Sequence, residues 1–167
     1  GEAGEMWIKG PQVMKGYWPE PGKGLIEGWL PTGDIAKMDK DGFFYIVDRI
    51  KDMINVSGYK VYSRILDDVL YQLPGVEMAC AIGLPDPERP GSERIKVFIK
   101  PRPDYVGKIS EADVIEHCRK NLPAYAIPKF IEFRQDLPLT VTEKIFKRKL
   151  REEEIEKMKK AGILQAD

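Results

Sequence analysis

The chain has 167 residues, with Lys+Arg 27 balanced by Asp+Glu 27 and a hydrophobic share of 43%. That share supports a folded core, with about 70% of the unfolded surface buried at this length. Cancelling charge argues against a protein built mainly to hold nucleic acid or an anionic membrane. Two cysteines, Cys80 and Cys118, give no disulfide framework and fit a reducing, cytoplasmic compartment. The single histidine, His117, leaves too few ligands for a His-rich or Cys/His metal site, so no metal site is expected. No apolar run approaches the ~20 residues of a membrane span, which leaves peripheral contact as the membrane association still open.

Gly1 starts in mid-phrase without Met, in Gly-Glu-Ala-Gly-Glu, and points to a cut beginning. The first fifty residues carry all three tryptophans, Trp7, Trp18 and Trp29. They read as short strands, Glu5–Lys9, Gly33–Asp39 and Phe43–Asp48, the last two joined by the Asp41-Gly42 hairpin signal. A boundary falls near Asp48–Asp52. Met53–Val56 is a short apolar strand and Ser57-Gly58 marks a turn. Ser63 is placed to cap a helix with Leu66, Val69, Leu70 and Leu73 on one face, ended by Pro74-Gly75. Strands Glu77–Leu84 and Arg94–Lys100 flank a Pro- and Gly-rich loop. Ser110 with Asp113 forms a capping box for a helix that turns Val114, Ile115, Cys118 and Leu122 inward. A strand over Lys129–Arg134 and a charged helix over 146–160 follow, the helix with Glu153–Lys157 and Glu156–Lys160 pairs at i,i+4. This order predicts an α+β fold whose strands need not be parallel.

Several polar groups are candidates for chemistry. Asp34, in Thr32-Gly33-Asp34 at the expected start of a strand, has two acceptor oxygens that suit a vicinal diol, although a turn aspartate looks the same. Arg49, in Asp48-Arg49-Ile50-Lys51-Asp52, offers a planar fork to phosphate or serves as a solvated strand exit. Lys51 lies at the junction where two modules would pivot. Gly58 in Ser57-Gly58-Tyr59 permits close backbone approach of a narrow ligand, and plain turn chemistry explains it as well. Lys144, before the last helix, is a compact charge on a long stem able to reach an anionic centre; alone it reads as a surface lysine. The basic run Lys144–Arg151 raises a nucleic-acid patch, which Glu152–Glu154 offsets. Neither a GxxxxGK[ST] nor a GxGxxG loop occurs, so a main phosphate cradle is expected elsewhere.

The order of these motifs carries more than any one of them. Gly-Glu-x-Gly-Glu, Gly10-Pro11, Gly16-Tyr17, Gly28-Trp29-Leu30-x-Thr32-Gly33-Asp34, Asp41-Gly42-Phe43, Val47-Asp48-Arg49-x-Lys51-Asp52-Met53-Ile54 and Ser57-Gly58-Tyr59 run in series. Pro74-Gly75-Val76, Pro85-Asp86-Pro87-x-Arg89 and Leu137-Pro138-x-Thr140-x-Thr142-x-Lys144-Ile145 follow. The series resembles the AMP-forming acyl-CoA synthetases of the adenylate-forming superfamily, which includes firefly luciferase and peptide-synthetase adenylation domains, with the medium- and long-chain fatty-acid–CoA ligases most alike. The resemblance implies activation of a carboxylate by ATP to an acyl-adenylate, then transfer to coenzyme A, with Mg2+ accompanying ATP. It implies that 1–50 end a large N-terminal AMP-binding domain and that 51–167 form a small mobile C-terminal domain, inactive alone. By position it assigns Asp34 and Arg49 to ATP, Lys51 to the hinge, Lys144 to catalysis of adenylation, and Ser57, Gly58, Tyr59 and Arg89 to coenzyme A.

Two departures stand out. Glu143 occupies the place where the family usually has glycine before the lysine, and Ser63-Arg64-Ile65-Leu66-Asp67 replaces Pro-x-Glu-Ile-Glu, losing the first acid. Two other readings remain at this point: a non-catalytic α+β ligand-binding module of the same shape, favoured by Glu143, and a nucleic-acid domain using Lys144–Arg151.

Overall fold

The computed structural model describes residues 1–164. The chain divides into two compact units, Gly1–Lys51 and Asp52–Asp167.

In the first unit, β1 (Gly4–Ile8), β4 (Leu30–Met38) and β5 (Phe44–Arg49) form an antiparallel sheet in the order β1-β4-β5. Two short strands, β2 (Gly16–Tyr17) and β3 (Glu20–Pro21), pair beside them in sequence. The β4–β5 turn is the expected Asp-Gly hairpin: Gly42 has a φ of 89, and Asp39 Oδ1 accepts the N–H groups of Asp41 and Phe43. The Phe43 N–H in particular holds the Asp39 carboxyl below its usual range. β4 starts at Leu30, earlier than the expected Gly33, which moves Asp34 from a strand start to a strand interior. Ile35 and Ala36 are buried, whereas Phe43, Phe44, Tyr45 and Ile46 stay exposed.

The second unit is built on a three-stranded sheet, β8 (Val76–Pro85), β9 (Glu93–Pro101) and β10 (Phe130–Phe133), in the order β10-β9-β8. β8 and β9 are antiparallel, and β10 lies parallel to β9 after the crossover through α2 (Glu111–Asn121). Both sheet faces are covered, so β8 reads as a nearly continuous apolar run and β9 carries a shorter one, Val97–Ile99, and each residue's parity decides its core. Ala79, Ala81, Val97 and Ile99 meet Leu66, Leu70, Val114 and Cys118 from α1 (Ser63–Tyr71) and α2. Cys80, Ile82, Leu84 and Phe98 meet Leu137 and Leu150, the latter on α3 (Lys147–Lys160). Burial raises the Cys80 thiol to about 12 and the Cys118 thiol to about 11, so neither is a nucleophile at neutral pH.

The structure corrects several expectations. Ser63 does not cap α1; Tyr62 holds that position, and Ser63 is the first helical residue, fully buried, with its hydroxyl accepting from Lys147 Nζ at 2.8 Å. Beyond Ser57-Gly58 lies a strand absent from the sequence reading, β7 (Tyr59–Val61), which makes an antiparallel hairpin with β6 (Ile54–Val56). Ile115 is only half-buried and lines a groove with Phe130 and Met158. Lys157 pairs with Glu154 at 2.6 Å instead of Glu153, which reaches Arg134. The Glu156–Lys160 pair and the Ser110–Asp113 capping box are present. His117 is half-buried, its Nε2 at 2.9 Å from the Val69 carbonyl.

Helix α3 is tied to the sheet by charge as well as by packing. Lys96 pairs with both Glu132 and Glu154, and Arg134 pairs with Glu132, Glu153 and Glu154. Both cations also lie near the Phe98 ring, Lys96 Nζ at 5.0 Å and Arg134 Cζ at 4.6 Å from its centroid. Burial pushes the Glu154 carboxyl up, but donors from Lys157 and Lys96 outweigh it and hold it below the usual range. A depressed folded value means the stabilisation is present at neutral pH and disappears as pH falls below the ordinary glutamate value of about 4.3. Glu154→Gln is therefore expected to lower stability by about 1.5–3 kcal/mol at pH 7, the worth of hydrogen bonds to a charged group. Urea denaturation at pH 7 and near pH 3 should show the gap between parent and variant closing at the acid end.

Candidate functional site

In the first unit, cross-strand register places Asp34 opposite Arg49, and Arg49 Nε meets Asp34 Oδ1 at 3.0 Å. The tripeptide before the carboxylate is fixed locally. The Thr32 hydroxyl donates to the Met6 carbonyl at 2.8 Å and accepts the Asp34 N–H at 3.1 Å, and Gly33 takes a φ of 73. Asp34 is thereby presented as an acceptor beside a permanently charged fork, a pairing that suits a ribose diol next to a phosphate. Lys51 is exposed in the 3-10 turn Ile50–Asp52, where the two compact units meet in sequence.

In the second unit, the β6–β7 turn has positive φ at both central residues, Ser57 at 51 and Gly58 at 90, as a tight two-residue hairpin requires. Asn55 Oδ1 accepts the Gly58 N–H at 3.0 Å. The turn docks on the segment after the Pro-rich loop: Ser57 N–H donates to Ser92 Oγ at 2.9 Å, and Asn55 Nδ2 to the Gly91 carbonyl at 2.9 Å. Arg89 Nη1 reaches Ser57 Oγ at 3.2 Å, so the structure brings these two candidates together. The loop holding Arg89 is itself braced: Arg94 bonds to Asp86, chiefly by this contact lowering the Asp86 carboxyl, and Asp86 N–H donates to the Ser92 carbonyl. Tyr59 stacks on Tyr125, centroids 4.6 Å apart and planes within 9°. Both rings are partly exposed. Tyr125 is a site candidate the sequence reading lacks, because its partner lies 66 positions away along the chain.

Lys144 ends a second tight hairpin. Thr140 N–H donates to the Lys144 carbonyl at 2.7 Å, Glu143 N–H to the Thr140 carbonyl at 3.0 Å, and Lys144 N–H to Thr140 Oγ1 at 3.2 Å. Leu139 and Ile145 pair below the tip, and Phe146 N–H closes the stem onto the Pro138 carbonyl. The two arms of the hairpin are thus tied together while the side chain is exposed, and among the described residues its ammonium makes no hydrogen bond or ion pair. Such an amine can present its full charge to an incoming anion. Among the described residues, no three His, Cys, Asp or Glu side chains cluster as a metal site.

Residues 66–144 match the family described as the AMP-binding enzyme C-terminal domain. This chain carries that domain. It is 44% identical over 156 residues to a long-chain-fatty-acid–CoA ligase of Escherichia coli O6:H1, covering 92% of this chain and 27% of the relative. A ligase of the same description from Haemophilus influenzae is 45% identical over 163 residues, covering 96% of this chain and 28% of the relative. Among solved structures, ATP-bound MatB from Rhodopseudomonas palustris superposes with a TM-score of 0.82 at 31% identity, over 93% of this chain and 31% of that one. The chain is therefore homologous to the C-terminal region of long-chain-fatty-acid–CoA ligases, within the adenylate-forming enzymes, and spans little more than a quarter of their length. Its α+β architecture is the one those C-terminal domains share.

The residue before the lysine has a conformational consequence. Glu143 has a φ of 59, in the left-handed region that glycine enters freely and other L-residues enter at a cost of ~1–2 kcal/mol. Glu143→Gly is expected to leave stability unchanged or raise it by up to ~1 kcal/mol, glycine's unfolded-state entropy offsetting part of the relief. Glu143→Val should destabilise by about 1–2 kcal/mol, β-branched residues being least at ease there. Urea midpoints of the three proteins order them.

Proposed function

We propose that this chain is the C-terminal part of an ATP-dependent, AMP-forming fatty-acid–CoA ligase acting in fatty-acid metabolism in the cytoplasm. Residues 1–50 then end the large AMP-binding domain and 51–167 form the C-terminal lid. The observation that carries the reading is the Lys144 hairpin. Its backbone is braced and its ammonium is unpaired among the described residues, at the end of a segment that matches the AMP-binding enzyme C-terminal domain.

On this reading a fatty-acid carboxylate oxygen attacks the α-phosphorus of ATP, a P–O bond forms, and pyrophosphate leaves with the broken anhydride bond. The Lys144 ammonium donates toward the carboxylate and α-phosphate oxygens as negative charge gathers there. A preorganised donor of that kind is worth about 3–4 kcal/mol. Asp34 accepts from the ribose hydroxyls, and the Arg49 guanidinium orients Asp34 while offering its remaining N–H groups to the ribose–phosphate side. Mg2+ travels with ATP, held mainly by parts of the enzyme outside this chain. In the second step the coenzyme A thiol, giving up its proton, attacks the acyl carbon and AMP departs. Ser57-Gly58-Tyr59 line the pantetheine path, Arg89 meets a phosphate of the coenzyme, and Lys51 is the pivot that exchanges the two faces.

The test joins this chain to the N-terminal body of the Haemophilus influenzae relative. Fatty-acid-dependent exchange of pyrophosphate into ATP is expected in the joined protein and absent from the 167-residue chain alone. Lys144→Ala should reduce that exchange about a hundred- to thousandfold. Exchange within twofold of the parent would refute the role given to Lys144.

A further inference from the structure

Below the Ser57-Gly58 turn, one carboxylate is shared by three parts of the second unit. Glu93, at the start of β9, accepts the Asn55 N–H on Oε2 at 2.9 Å and Arg151 Nη2 of α3 on Oε1 at 2.7 Å. The same guanidinium donates through Nε to the Gly83 carbonyl of β8 at 2.8 Å. Asn55 in turn holds the Gly58 N–H and the Gly91 carbonyl. The chain of donors and acceptors therefore runs from α3 through Glu93 to the turn. A second feature serves the same end. A Cβ at Gly83 would lie 2.8 Å from Glu93 Cδ and Oε2, closer than carbon atoms approach, so glycine there leaves room for the carboxylate.

Each Glu93 oxygen faces a donor, and only a carboxylate accepts on both sides. We propose that Glu93 is a positioning residue for thioester formation, setting the Ser57-Gly58 turn for coenzyme A without touching the coenzyme. The inference rests on the reading that this turn lines the pantetheine path. Glu93→Gln preserves shape but leaves one acceptor oxygen for two donors; the charged Arg151 guanidinium is the stronger claimant, so the N–H2 group faces the Asn55 N–H and loosens the turn. Gly83→Ala reaches the same result from the opposite side, by displacing the carboxylate.

The measurements use the protein joined to the Haemophilus influenzae N-terminal body. With Glu93→Gln and with Gly83→Ala, transfer from preformed acyl-adenylate to coenzyme A should slow about ten- to hundredfold with a raised KM for coenzyme A, the range set by one hydrogen bond to a charged group. Pyrophosphate exchange should stay within twofold of the parent. Deuterium exchange of the peptide spanning residues 54–61 should accelerate about tenfold or more. An equal fall in both half-reactions with KM unchanged would reduce Glu93 to a fold-holding residue and overturn the proposal, and so would unchanged exchange over 54–61. A parent that makes neither adenylate nor thioester would defeat the functional reading, while the deuterium measurement would still judge the grip of Glu93 on the turn.

Discussion

Charge removed from water must be answered by charge or by donors, and this rule organises the second unit. Lys96, Glu132, Arg134 and Glu154 gather beside the buried Phe98 ring, each partly or wholly withdrawn from solvent and each paired. Each member has more than one partner, so the loss of any one weakens its neighbours' pairing without leaving a buried charge unanswered. The cluster sets the position of α3 on the sheet. Because the stem of the Lys144 hairpin closes immediately before α3, through Phe146 and Pro138, the placement of that lysine follows from a network well away from it.

The two tight turns of this unit solve opposite problems. At Ser57-Gly58, backbone N–H groups are satisfied by the side chains of Asn55 and Ser92, and what is offered outward is narrow backbone and the partly exposed Tyr59–Tyr125 pair. At Thr140–Lys144 the arms are tied by backbone bonds and by the Thr140 hydroxyl, and what is offered is the exposed ammonium of Lys144. Both turns hold a non-glycine residue at positive φ, Ser57 and Glu143. Backbone cost of this kind is retained where surrounding bonds over-determine the geometry. Lys147 adds a further restraint, reaching Ser63 and Asp67 at the start of α1 from the first residue of α3.

What could be read from the sequence was local. The Asp41-Gly42 hairpin, the Ser110–Asp113 capping box and the apolar stripe of α1 each depend on residues a few positions apart, and each is present. The motif series identified the domain, and the fold class follows it. Misreadings arose where distant partners decide the outcome. Ser63 looked like a cap because its neighbours permit one, yet its hydroxyl serves Lys147, 84 positions away. β7 is three residues with a lysine at its centre, too short and too polar to announce itself until β6 supplies a pairing edge. The Asp34–Arg49 contact needs the register of two strands, and the Arg151–Glu93 contact spans 58 positions. Neither leaves a periodic trace.

The aromatic residues partition with the chain. Trp7, Trp18 and Trp29 all belong to the first unit, while Tyr59, Tyr62, Tyr71, Tyr105 and Tyr125 belong to the second, which has no indole. Indole emission thus reports on Gly1–Lys51 alone, and near-ultraviolet dichroism of the phenol rings is weighted toward the larger unit. The smaller body thus carries its own optical label, and its melting can be followed apart from the rest without introducing a dye.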